Sequence, residues 1–269
     1  MTPALEPDPF PRLLRALEPW LGHIVIIGGW AHRLYRLHPL AQGLDYPPLM
    51  TLDTDIAVPS KLPAGDGDIR QRLLSHGFTE EFLGDDRPPA THYHLGGGES
   101  GFYAEFITPL LGGEYGRDQR RKATASVAGV TSQQLRHIEL LLHSPWQVHF
   151  ESAGRAAKIL IPNPASFIAQ KVLIHRKRDP ADRAKDILYI HDTLELFGSG
   201  LAEIRTLWRN VVKPQLHPRD ANTVSRASAA IFGQVSDDIS RAAGIAAGRD
   251  LSPSGVREAC NYGFAQVFS

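Results

Sequence analysis

The stretch Thr51-Leu52-Asp53-Thr54-Asp55-Ile56-Ala57-Val58 constrains the fold more than any other. Residues 52, 54, 56 and 58 are apolar or β-branched and alternate with Asp53, Asp55 and Ala57. That two-residue period is the mark of a β-strand with one buried face. Asp53 and Asp55 then share a face, roughly 6–7 Å apart at Cα. Side-chain oxygens so placed can converge on one hard cation, or on two held about 3.5–4 Å apart. Two acids pointing the same way repel each other unless a positive charge lies between them. The same pattern also describes a half-exposed edge strand with solvated carboxylates, and the stretch alone leaves both readings open.

The flanking sequence supplies partners for such a strand. Residues 10–20 have helical spacing (Phe10, Leu13, Leu14, Leu17, Trp20). The β-branched run His23 to Ile27 reads as a buried strand that stops at Gly28-Gly29, with an amphipathic stretch (Trp30, Leu34, Leu37) behind it. Strand, two glycines and helix is a geometry that lets backbone N–H groups approach a phosphate; it is also an ordinary tight turn. Residues 39–50, with three prolines, read as a loop. Ile69 to Phe78 reads as a short helix stopped by Gly77, and Thr79 to Leu83 as a strand. Thr91 to Leu95 and Phe102 to Ile107 flank a glycine-rich turn and predict a hairpin. Glu105 stands inside the second run, where a carboxylate needs a partner. Beside the di-aspartate strand it would supply a third acid. His92 and His94 share a face, either as a metal pair without a third ligand in sequence or as plain polar-face histidines. The basic run Arg117, Arg120, Arg121 and Lys122 either meets phosphates or is solvated. Three short apolar runs, Ile138 to Leu142, Trp146 to Phe150 and Ala157 to Ile161, read as further strands.

Pro162-Asn163-Pro164 marks a boundary between an α/β domain over 1–161 and a helical domain over 162–269. Helices are predicted over Ala165–Arg176, Pro180–Phe197, Leu201–Val212, Ala221–Ile231, Val235–Ala247 and Pro253–Phe268. A length of 269 residues accommodates one large domain or two small ones. Lys and Arg balance Asp and Glu at 29 each, so a nucleic-acid contact must come from a local patch. The one cysteine, Cys260, excludes an intramolecular disulfide and a Cys-rich zinc site, and suits a reducing cytoplasm. The acidic, proline-rich N-terminus is no signal peptide, and the apolar run Ile24–Ile27 is far too short to cross a bilayer.

In order, Gly28-Gly29, Asp53-x-Asp55 and Glu105 resemble the nucleotidyltransferase fold of the DNA polymerase β superfamily. Lys171, the cluster Arg176, Lys177 and Arg178, and Lys185-Asp186 resemble the C-terminal motifs of AbiEii-type nucleotidyltransferase toxins and their uncharacterised bacterial relatives. The resemblance covers roughly residues 20–197. It implies an α+β fold, a mixed sheet with flanking helices followed by a helical domain. It implies transfer of an NMP from an NTP such as ATP to an acceptor, RNA such as tRNA for a toxin, with a cognate antitoxin as partner. Asp53, Asp55 and Glu105 would hold two Mg2+ ions, and Glu105 would take the nucleophile's proton. Gly28 and Gly29 would approach the phosphates. Lys171 would neutralise phosphate charge with Arg178 or Lys185 assisting, and Asp186 would orient Lys171 or contact the base or ribose. Lys171 and Asp186 also read as a salt bridge between packed helices. Two departures stand out: a proline-containing insert lengthens the spacing between the glycines and the aspartates, and Trp30 replaces a small or polar residue. Both bear on the nucleotide pocket. Two alternatives stay open, an inactive nucleotide-sensing or partner-binding module and an aminoglycoside-type small-molecule nucleotidyltransferase. The basic runs suit an anionic acceptor better than an aminoglycoside.

Overall fold

The computed structural model describes residues 9–63, 67–86, 88–96, 101–115, 122–152, 154–246 and 248–269. The chain divides into two compact units. The first runs to Leu34 and resumes from Leu49 to Ile161; the second comprises Tyr35–Pro48 and Pro162–Ser269.

The first unit is built on a mixed sheet. Its strands are β1 (Val25–Ile26), β2 (Asp53–Ala57), β3 (Thr79–Leu83), β4 (Ala90–Leu95), β5 (Phe102–Pro109), β6 (Thr124–Val127) and β7 (Val130–Leu135). They lie in the order β1-β2-β5-β4-β3, with β7 paired to the far end of β5 and β6 to β7. β5 runs parallel to β2 and β7 and antiparallel to β4. Its even-numbered residues Phe102, Ala104 and Phe106 are buried with Thr54, Ile56 and Tyr93 of the adjacent strands. Its odd-numbered residues face the other way and carry the polar groups. A hairpin of β8 (Trp146–Ser152) and β9 (Arg155–Ile161) completes the strands.

Helices α1 (Pro9–Ala16), α2 (Gly28–Leu34), α3 (Ile69–Ser75) and α4 (Ile138–Leu142) flank the sheet. Asp68 caps α3 by accepting from the Gln71 N–H at 2.6 Å, and Gly77, at φ +84°, ends it. The strand expected over Ile138–Leu142 is instead α4. His137, at φ 64°, turns the chain sharply, and the Ile-Glu-Leu-Leu-Leu that follows favours a helix over a strand. Its Ile138 and Leu141 pack with Val25, Ile27, Ala57 and Ile107 into one buried cluster. β6 and β7 were not among the predicted strands, because Ser, Thr and Gln dilute their apolar period.

The second unit contains α5 (Pro164–Ile174), α6 (Pro180–Leu196), α7 (Leu201–Leu207), α8 (Pro218–Ser225), α9 (Ala227–Phe232), α10 (Asp237–Ile245) and α11 (Pro253–Val267). The two leading helices start alike. Asn163 accepts from the Ser166 N–H and Asp179 from the Asp182 N–H, each at 2.9 Å, and each has proline at the first helical position. Of the predicted helices, Leu201–Val212 passes into a π-helical turn at Trp208, and Ala221–Ile231 breaks at Arg226 into α8 and α9. Segment 35–48 belongs here because its aromatics do. Tyr35 donates to the Pro162 carbonyl at 2.9 Å and sets its ring edge-on to Phe167 and Phe197. No described helix is long and apolar enough to cross a membrane.

Candidate active site

The register of β2 against β5 places Asp55 opposite Glu105 and Asp53 opposite Tyr103, all on one sheet face. The parallel pairing makes Asp55 and Glu105 neighbours, although they stand fifty positions apart in the chain. Two residues further along the same face, Ala57 and Ile107 are sealed under α4. The acids occupy the part of the face that α4 leaves uncovered, and each is half-buried.

The Glu105 carboxylate is held in place. Its Oε2 accepts from Gln133 Nε2 at 2.9 Å and lies 3.3 Å from His92 Nε2. Burial pushes its pKa up, but hydrogen bonds with His92 and with the Asp55 carboxyl outweigh burial and keep Glu105 below the usual carboxylate range. Tyr103 stands among the acids, its ring stacked on His92 at 4.4 Å. Burial, then the charges of Asp53, Glu105 and Asp55, push its phenol up to about 12.

Gly28 closes the site on the β1 side. Ile27 N–H donates to the Asp55 carbonyl at 2.9 Å, continuing the β1–β2 ladder by one residue. The chain then turns at Gly28, φ +63°, into α2. A Cβ at Gly28 would lie 2.0 Å from Asp55 Oδ2, so only glycine lets this carboxylate sit against the turn. Gly29 is buried behind it. Trp30 stacks on Phe10 at 3.8 Å and meets Phe102 edge-on, inside the core.

In the second unit, Lys171 on α5 is buried and donates to Asp186 Oδ1 on α6. Its ammonium also lies over the faces of Phe167 and Tyr189, at 4.9 and 4.8 Å. Arg178 joins through Asp186 Oδ2 at 3.4 Å and Asp182 at 3.1 Å. Lys185 lies over the Tyr189 ring, at 5.9 Å. The basic residues Arg117, Arg120 and Arg121 lie outside the described residues; Lys122 donates its backbone N–H to the Glu114 carbonyl.

Two residues escaped the sequence reading, Gln133 and His92 as partners of Glu105. A glutamine on a weakly patterned strand carries no local signal, and His92 becomes a partner only through the β4–β5 register. The oxygen-only donors Asp53, Asp55 and Glu105 fit a hard divalent cation such as Mg2+. The close approach of the Asp55 and Glu105 carboxyls is the kind that such an ion relieves.

Among curated proteins, none matches the sequence at a significant level. A solved structure, MenT4, a nucleotidyltransferase toxin from Mycobacterium tuberculosis H37Rv, is similar at 15% identity and a TM-score of 0.37, over 95% of this chain and 80% of that one. A family model described as Nucleotidyltransferase matches residues 10–213, most of the chain and every site residue named above. By that match the chain belongs to the nucleotidyltransferase family.

Proposed function

We propose that the protein is a magnesium-dependent enzyme that moves an NMP from an NTP to an RNA acceptor such as tRNA, with Asp53, Asp55 and Glu105 as its metal ligands. The observation that carries this reading is the register of Asp55 against Glu105, with Asp53 on the same face and Gly28 against the Asp55 carboxylate. Two bound Mg2+ ions would neutralise the triphosphate and lower the barrier to attack of the acceptor hydroxyl on the α-phosphate, from which pyrophosphate leaves. The chain's own part is positioning and charge. Glu105, steadied by Gln133 and His92, accepts the proton of the acceptor hydroxyl. Gly28 and Gly29 turn backbone N–H groups toward the phosphates. In the second unit, Lys171, held by Asp186, is the candidate positive charge for phosphate binding, with Arg178 and Lys185.

Incubation with labelled NTPs, magnesium and bulk tRNA tests the reading. Labelled RNA is expected, and its loss in Asp55→Ala. Unchanged labelling in that variant rejects the site assignment. Labelling of an aminoglycoside but not of RNA would reassign the acceptor. The resemblance to toxins makes a further expectation. Expression should arrest growth, Asp55→Ala should relieve the arrest, and a cognate antitoxin should neutralise the wild type.

A further inference from the structure

The polar face of the sheet does not end at Glu105. His92 and His94 alternate onto it from β4, and Glu81 of β3 stands directly opposite His92. One ligand atom from each of Glu81, His92 and His94 lies within 4.8 Å of the other two. His94 Nε2 is 2.7 Å from Glu81 Oε2. We propose that these three side chains form a second cation site, distinct from the carboxylate site, for a d-block divalent ion of the zinc class.

The donor set selects the ion. Two imidazoles and one carboxylate suit zinc and its neighbours, whereas magnesium prefers oxygen ligands in a strict octahedron. Three protein ligands with a fourth position left to solvent is the pattern of an open zinc site. The scaffold is already in place. All three residues stand on hydrogen-bonded strands, and both imidazoles lean on Tyr103, at ring separations of 4.4 Å for His92 and 5.4 Å for His94. Among the described residues Glu81 pairs with no lysine or arginine, so its charge is available to a cation. Glu105, 3.3 Å from His92 Nε2, supplies the carboxylate that commonly backs a metal-bound imidazole and raises its basicity. In sequence His92 and His94 lacked a third ligand; the antiparallel pairing of β3 with β4 delivers it.

Titration of the full-length protein with Co2+ in a large excess of Mg2+ tests the site, because magnesium then occupies the oxygen donors. The expected result is one cobalt ion per chain with the intense visible absorption of four- or five-coordinate cobalt, displaced by Zn2+. His94→Ala and Glu81→Gln should each weaken binding about tenfold or more, with unchanged melting in metal-free buffer. Should one variant fail to fold, the other decides. Absence of saturable absorption, only the faint bands of octahedral cobalt, or an affinity that survives the variants would overturn the proposal. The readout needs no nucleotide transfer, so inactivity toward every acceptor leaves it standing.

Discussion

Gly28 is the residue least open to change. Any side chain there meets both a left-handed backbone and the Asp55 carboxylate. Gly28→Ala should cost about 1–3 kcal/mol through backbone strain alone and abolish transfer by displacing Asp55; urea denaturation and the labelling assay read the two effects separately. Lys171 poses a different question, since a buried ion pair can serve packing or chemistry. Lys171→Met leaves Asp186 buried without its ammonium and should cost about 3–5 kcal/mol. Lys171→Met with Asp186→Leu should restore most of that stability yet remain inactive if Lys171 serves the nucleotide; an active double variant would assign the pair to packing. Asp53, Asp55 and Glu105 stood out in the sequence because acids in a β-branched run break its pattern. A large aromatic after two glycines gives no hint in sequence of which way it turns, and Trp30 turns toward Phe10.

Elements with strong punctuation were legible. Proline after Asn or Asp announced α5 and α6, and the caps follow that grammar. Asn163 is fully buried, and Asn163→Ala should lower stability by about 0.5–2 kcal/mol, measurable as a shift in the denaturation midpoint with an unchanged slope. The β4–β5 hairpin was legible too; pairing between strands distant in sequence was not, and part of the candidate site depends on it. β7 joins β5 only beyond Phe106, and this brings Gln133 alongside Glu105. Gln133→Ala should leave the melting temperature nearly unchanged and lower kcat about tenfold, as loss of a partner behind a metal ligand does. The run Ile138–Leu142 shows the converse limit. Four apolar residues among five fit a strand or a helix until the turn at His137 decides.

Across the whole molecule, balanced charge gives no net field to draw in a polyanion, so binding of the proposed RNA acceptor would rest on local basic groups and fall with salt. Acidity acts on the second unit through two histidines. Burial holds His38 below its ordinary 6.5, and burial outweighs the opposing charge of Asp238 to do the same for His175. Both bind fewer protons folded than unfolded, so their contribution is intact above 6.5 and drains as the pH falls through the folded values. Stability should therefore decline on acidification from about pH 6.5, and His175→Gln should flatten the upper part of that decline in pH-dependent chemical denaturation. Segment 35–48 reaches further still. Its Tyr35 leans on Phe167 and Phe197, and its Tyr46 donates to Glu195 at 2.5 Å, although more than a hundred residues of the other unit intervene. A recombination crossover anywhere between Leu49 and Ile161 would part those aromatics from their partners, so natural shuffling cannot trade the helical half alone and lineages must inherit both halves together.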